Sequence, residues 1–250
     1  MLLLIDAGNT RIKWALVDAD AAPALGAWLA SGAVTQADLG RLAQTWRAAL
    51  DGKTITRALL SNVAGAALRE SLELALPDTL AADAICWFAS LPQLAGIHNA
   101  YRNPAQLGCD RFAAAIGAHA LAPGLAIIVA TCGTATTIDA VTKDGVFLGG
   151  MILPGLGLMA DSLACNTAQL PQVGLGVRLG FADNTEDAIL SGCLAAQAGA
   201  IERAFAAHGA ELCILSGGAA AFIGPALAVP HQVVDNIVLL GLQAAASPSR

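Results

Sequence analysis

Four short segments carry residues that could do chemistry, three of them placed where an apolar run ends in a glycine turn. The first is Asp6-Ala7-Gly8-Asn9-Thr10-Arg11-Ile12-Lys13, directly after Leu2-Leu3-Leu4-Ile5. A tight turn of this composition groups backbone N–H donors, a carboxylate and a hydroxyl. It suits a phosphate with its magnesium: glycine lets the backbone approach the anion, the amides and Thr10 donate, and Asp6 holds the metal through water. Lys13, two residues beyond Arg11, is spaced to reach the same phosphates. The plainer alternative is a hairpin turn in which Asn9 merely tolerates positive φ. The second segment, Gly133-Thr134-Ala135-Thr136-Thr137, again follows an apolar strand, and two such turns make a clamp for a nucleotide's phosphates. Its alternative is a threonine-rich strand. Gly217-Gly218, after a third apolar strand, adds flat backbone for a base or ribose, and three such loops in order point to nucleotide binding. Gly108-Cys109-Asp110-Arg111 stands at a loop-to-helix junction. Asp110 there is either a helix cap or a carboxylate aimed into a cleft, able to accept a proton from a substrate hydroxyl.

The elements that must position these residues are read from periodicity. Helices are predicted over 36–50, 64–76, 111–121, 186–208 and after Asp235, the last with Asp235 as its N-cap, and strands over 56–62 and 211–215. Segments 2–17 and 126–148 share one plan: an apolar strand, a Gly-Thr turn, and a returning β stretch, with a Lys143-Asp144-Gly145 hairpin turn in the second. The spacing implies a duplicated α/β unit, with domains 1–121 and 122–250 joined near Ala122-Pro123-Gly124. Pro154-Gly155-Leu156-Gly157 reads equally as a mobile flap or a structural turn.

Composition narrows the function classes. The chain has 250 residues, 56% of them hydrophobic and only 13% charged, with a mean hydropathy of +0.63. That argues against disorder. The longest uncharged stretches are cut by Pro123-Gly124, Gly217-Gly218 and Gly224-Pro225, so no membrane span is expected. The net charge of −6 and the lack of a basic run argue against nucleic acid. The opening Met-Leu-Leu-Leu-Ile-Asp lacks a cationic region and reads as a strand, and a cytoplasmic location is expected. The six cysteines are scattered without metal spacing and read as small buried hydrophobes. The four histidines have no ligand spacing, and the four tryptophans fall on separate elements, as core residues do.

Taken together, the Asp6–Lys13 segment, Gly108-Cys109-Asp110-Arg111, Gly133-Thr134-Ala135-Thr136-Thr137-Ile138-Asp139 and Gly149-Gly150-Met151-Ile152-Leu153-Pro154-Gly155 resemble type III pantothenate kinase. The resemblance runs in order over nearly the whole chain. It implies the fold of the actin, sugar-kinase and Hsp70 ATPase superfamily: duplicated actin-like (ribonuclease H-like) domains with a nucleotide cleft between them. It further implies ATP-dependent phosphorylation of pantothenate at its primary hydroxyl, giving 4′-phosphopantothenate, the entry step to coenzyme A. Asp6, Ala7, Gly8, Asn9, Thr10, Arg11, Ile12, Lys13 and Thr134 would bind ATP, with Mg2+ held near Asp6 through water. Tyr101, Gly108, Cys109, Asp110 and Arg111 would hold pantothenate, and Asp110 would accept the proton. Thr185 matches a threonine that reaches the substrate from the second subunit of a homodimer. Family members carry an aspartate two residues before the Gly-Thr of the second loop, where it binds a monovalent cation, K+ or NH4+. Here that position is Thr131, which departs from the pattern and puts the cation requirement in question; Asp139 is not assigned that role.

Two rival readings stand beside this one. A kinase of the same superfamily with a sugar or another acid as acceptor is expected to be considerably longer. A non-catalytic nucleotide-binding regulator would have no physical need for Asp6, Asp110 and Thr134 together.

Overall fold

A computed structural model describes residues 1–18, 21 and 23–247. In chain order the elements are β1 (Leu2–Ala7), β2 (Arg11–Val17), β3 (Ala30–Thr35), α1 (Leu42–Leu50), β4 (Arg57–Asn62), α2 (Ala66–Ala75), β5 (Ile85–Trp87), β6 (Gln93–Leu94), β7 (Ile97–Asn99) and α3 (Cys109–Leu121). Then come β8 (Ile127–Cys132), β9 (Ala135–Val141), β10 (Val146–Pro154), α4 (Leu156–Asn166), α5 (Thr185–His208), β11 (Leu212–Ser216), α6 (Ala220–Ile223), β12 (His231–Val233) and α7 (Ile237–Ala246). They fall into two compact units, Met1–Ala120 with Asn236–Arg250, and Leu121–Asp235.

In unit 1 the strands are ordered β3-β2-β1-β4-β5. β1 and β2 pair antiparallel, as do β2 and β3, while β1–β4 and β4–β5 are parallel. Leu2-Leu3-Leu4-Ile5 is buried along its length, as a central strand covered on both faces must be. On α1, Leu42, Trp46 and Leu50 recur every four residues and form the buried stripe. The Trp46 ring meets Trp14 edge-on, centroids 6.5 Å apart. Gly32, opposite Trp14 in β3, leaves room for that indole, since a Cβ there would lie 2.9 Å from the ring.

Unit 2 repeats the plan strand for strand. Its own strands are ordered β12-β11-β8-β9-β10, with β8–β9 and β9–β10 antiparallel and β8–β11 and β11–β12 parallel. β8 therefore corresponds to β1, β9 to β2, β10 to β3, β11 to β4 and β12 to β5. Its core joins Ile128, Ala130, Ile138, Leu156, Leu194, Ile201 and Leu215.

Several boundaries differ from the sequence expectation. The segment 36–50 is a 3-10 turn at Gln36–Arg41 followed by α1. β8 runs on through Thr131 and Cys132, so the second turn is only Gly133-Thr134. Helix α3 begins at Cys109, which puts Asp110 in its first turn. The segment after Pro154 is neither a flap nor a bare turn: Gly155 is the N-cap of α4. Asp235 does not cap α7; Asn236, in the left-handed region at φ 55°, takes the cap position.

The expected second domain of 122–250 also differs from the observed units, because α7 belongs by its contacts to unit 1. There it crosses α3 backbone to backbone: a Cβ on Gly241 would lie 1.7 Å from the Ala113 carbonyl oxygen, and one on Gly117 would lie 2.6 Å from that of Ile237. Gln243 on the same helix accepts from the Gly26 N–H at 2.9 Å and the Trp28 indole N–H at 2.8 Å. Among the described residues no helix is long and apolar enough to cross a membrane.

Candidate active site

In unit 1 the turn between β1 and β2 is closed by the Gly8 N–H donating to the Arg11 carbonyl at 3.1 Å. A Cβ on Gly8 would come within 3.3 Å of that oxygen, so glycine keeps the hairpin tight. Asn9, Thr10 and Arg11 are exposed at the turn, and the Asn9 carbonyl accepts from the Gln36 side chain at 2.9 Å. Ala7 and Ile12 are wholly buried in the core. Their side chains are therefore unavailable to a ligand, and any contact of these two with ATP would be through the backbone.

Asp6 stands opposite Lys13 across β1–β2 and opposite Ser61 across β1–β4. Ser61 and Cys109 lie 3.3 Å apart, Oγ to Sγ, and Cys109 Sγ is 3.6 Å from the Asn62 carbonyl oxygen. The start of α3 is thus tethered to the end of β4. Stacking of Phe112 on Phe88, centroids 6.0 Å apart, fixes the helix from below.

This placement sets the charges of the two carboxylates. Burial pushes the Asp6 carboxyl up to about 6; Lys13 pulls it back and the charge of Asp110 raises it further. The last effect places Asp110 within electrostatic reach of Asp6 in unit 1. Asp110 is itself raised, chiefly by burial, against the opposing pull of the Arg111 N–H and guanidinium. Its Oδ1 accepts from the Arg111 N–H at 2.8 Å, which satisfies one free donor of the first turn from inside the helix, although Asp110 is not the N-cap because α3 already begins at Cys109. Gly108 is required beside it, because a Cβ would lie 2.6 Å from Asp110 Oδ1. This bond and the cleft reading are compatible, since one carboxylate oxygen meets the helix and the other is left for a hydroxyl proton.

Tyr101 and Arg111 are brought together. The buried Arg111 guanidinium donates to the Tyr101 hydroxyl at 3.0 Å. The Tyr101 segment is held by Asn99, which is buried, accepts from the Tyr101 N–H at 3.0 Å and donates to Ser90 Oγ at 3.0 Å.

In unit 2 the Gly133-Thr134 turn is closed by the Gly133 N–H on the Ala135 carbonyl at 3.0 Å. Two other loops abut it. The Gly155 N–H donates to the Thr134 carbonyl at 2.9 Å, and a Cβ on Gly155 would sit 2.1 Å from the Gly133 carbonyl oxygen. Gly217, at φ +98°, lies so close to β8 that a Cβ would be 2.4 Å from the Cys132 carbonyl oxygen. Glycine is needed there for both conformation and approach. Thr185 is the first residue of α5, next to the N-cap Asn184, and lines a groove of about 400 Å³ with Met159, Leu163 and Ile189. Thr131 ends β8 opposite Thr137 in β9 and Ser216 in β11.

Residues missed from sequence are those whose role is to hold others: Ser61, Asn99 and Gln197. For Gln197 a signal existed, a lone amide within Leu194-Ala195-Ala196-Gln197-Ala198-Gly199.

Comparison with known proteins agrees with these motifs. The family model for type III pantothenate kinase matches residues 2–207. A type III pantothenate kinase from Herminiimonas arsenicoxydans is 58% identical over 98% of this chain and 97% of its own. One from Janthinobacterium sp. (strain Marseille) shows the same identity and coverage. Among solved structures, the activator of the 2-hydroxyisocaproyl-CoA dehydratase from Clostridium difficile covers 98% of this chain and 92% of its own, at 13% identity and a TM-score of 0.57. That likeness concerns the fold, which is the duplicated actin-like α/β architecture. The chain belongs to the type III pantothenate kinase family.

Proposed function

We propose that this chain transfers the terminal phosphoryl group of ATP to the primary hydroxyl of pantothenate, giving 4′-phosphopantothenate for coenzyme A synthesis. Family membership supports the acceptor. The observation that carries the chemistry is the placement of Asp6 and Asp110, two half-buried carboxylates on separate motifs of unit 1, with Asp110 near enough for its charge to raise the Asp6 carboxyl. Phosphoryl transfer asks mainly for positioning and charge neutralisation. In this reading the backbone amides of the Asp6–Lys13 turn, with Asn9, Thr10, Arg11 and Lys13, hold the phosphates, and Thr134 is a further ATP contact. Tyr101, Gly108, Cys109 and Arg111 hold pantothenate, while Asp110 accepts the hydroxyl proton. A coupled ADP-release assay with pantothenate against a panel of hydroxylated acids and sugars tests it. Pantothenate should give the highest kcat/KM; a higher value for a sugar would reject the acceptor, and no turnover with any would favour the regulatory reading.

The residues present fit magnesium. Asp6 is a hard oxygen donor whose ionisation is held back by burial and by Asp110, so a nearby dication would stabilise its charged form. When bound, magnesium would neutralise phosphate charge. The residues do not fit the monovalent cation. Thr131, Thr137 and Ser216 present neutral hydroxyls at the end of β8, and the buried Asp139 lies two positions further along β9. A carboxylate at about 4 Å contributes roughly 4 kcal/mol to a monovalent cation at an effective dielectric of 20, about three decades of affinity. No step is assigned to such a cation. Replacing KCl by choline chloride at constant ionic strength should therefore change turnover by less than about twofold, whereas Thr131→Asp should make it potassium-dependent. A collapse of wild-type activity in choline would overturn this.

The homodimer is part of the same proposal, with Thr185 reaching the substrate of the second copy. It is supported by Leu175, Val177, Leu179 and Phe181, exposed apolar residues spaced two apart. They adjoin a groove of about 620 Å³ lined by Ala188, Gly192 and Ala195 of α5. Sedimentation as a monomer at assay concentrations would remove Thr185 from the site.

A further inference from the structure

We propose that Gln197 is a positioning residue for the nucleotide loop, acting on Thr134 through a single peptide plane. The proposal rests on the reading of Thr134 as an ATP contact.

Gln197 lies midway along α5 and is completely buried, beside Leu194, Ala198 and Ile201. Its Nε2 donates to the Pro154 carbonyl at 2.7 Å and lies 3.0 Å from Met159 Sδ. Its Oε1 is buried without a hydrogen-bond partner among the described residues. Burying an amide half satisfied is unfavourable, so packing alone favours an apolar residue of the same volume here. The bond from Gln197 to the Pro154 carbonyl is therefore the feature that needs a purpose.

The carbonyl of Pro154 and the N–H of Gly155 belong to one planar peptide unit. Gln197 holds its carbonyl end, and its N–H donates to the Thr134 carbonyl at 2.9 Å. Gly155 also sits against the carbonyls of Gly133 and Thr134 too closely for any side chain. A plane gripped at both ends cannot tilt without moving the Gly133-Thr134 turn. α5 thus sets the orientation of the second nucleotide loop from within the core, at a position that touches no ligand.

The test compares two substitutions. Gln197→Met keeps length and removes the donor. It should weaken ATP binding by about three- to tenfold, the worth of one hydrogen bond, read as Kd by calorimetry and as KM for ATP. The KM for pantothenate should stay unchanged and the Tm should be equal or higher. Gln197→Glu supplies the signature that a merely structural role would not give. Burial raises the new carboxyl's pKa, and in its protonated form it can donate O–H to the Pro154 carbonyl. ATP affinity should then approach that of the wild type at pH 6 and fall at pH 8, by a larger factor than in the wild type. A lower Tm for Gln197→Met with unchanged ATP affinity would overturn the proposal, as would a Gln197→Glu variant whose affinity follows pH as the wild type does. Because calorimetry reads ATP alone, a failure of pantothenate as acceptor would leave this outcome separately legible.

Discussion

Asp110→Asn is expected to lower kcat by about two to four decades, the usual worth of a positioned general base. The KM for ATP should change little, because Asp110 lies on α3, outside the Asp6–Lys13 turn and the Gly133-Thr134 loop. Folding should survive. The asparagine Oδ1 can still accept from the Arg111 N–H that Asp110 now meets at 2.8 Å, and the substitution removes a charge that burial disfavours. The Tm should therefore be unchanged or higher, which separates loss of chemistry from loss of structure.

The pH dependence supplies a second readout of the same variant. In the proposed reading Asp6 must be ionised to hold magnesium, and burial pushes its carboxyl up to about 6, so the wild-type kcat/KM should fall on the acid side of that pH. Asp110, also raised and proposed as the base, should make that limb steeper. In Asp110→Asn the residual rate should lose the steeper component. Its limb should also move to lower pH, because the charge that raises Asp6 is gone. Turnover within tenfold of the wild type, with an unshifted limb, would show that Asp110 is not the proton acceptor.

Gly241→Ala is expected to be the most damaging substitution for stability relative to its size. Alanine suits a helix better than glycine by about 1 kcal/mol. Here that gain is opposed by a Cβ that would lie 1.7 Å from the Ala113 carbonyl oxygen and 2.5 Å from its carbon. The obstructing atoms are backbone and cannot rotate away, so α7 must lift from α3, and overpacking of this kind costs about 3 kcal/mol. The net loss of roughly 2 kcal/mol corresponds to a Tm lower by about 4–8 °C for a chain of this length. Gly199→Ala on α5 is the control: nothing lies within 4 Å of its added Cβ, so only the propensity gain applies and the Tm should hold or rise. Equal melting of Gly241→Ala and the wild type would mean that the two helices do not cross backbone to backbone in solution.

These expectations draw unequally on sequence and structure. The amino-acid order by itself determined the duplication, because the paired strand-turn-strand plans around Gly8 and Gly133 are local patterns of hydropathy and turn chemistry. It also singled out the candidate site residues, since phosphate and proton chemistry demand particular side chains at short range: Asp6, Lys13, Asp110 and Thr134 were proposed without coordinates. What depended on distant partners was not. α7 looks like part of the second half until its glycine is seen against Ala113, 128 residues earlier. Ala7 and Ile12 sit inside the proposed phosphate-binding segment, yet their burial leaves them only backbone to offer. The Pro154-Gly155 segment was ambiguous because a flap and a packed turn use the same residues; its close approach to Gly133 and the bond from Gln197 decided it. Local sequence specifies which groups are present and how a turn bends. Which carboxylate is desolvated, which peptide plane is gripped and which helix closes which core are set by tertiary packing, because burial and close approach exist only after distant segments meet.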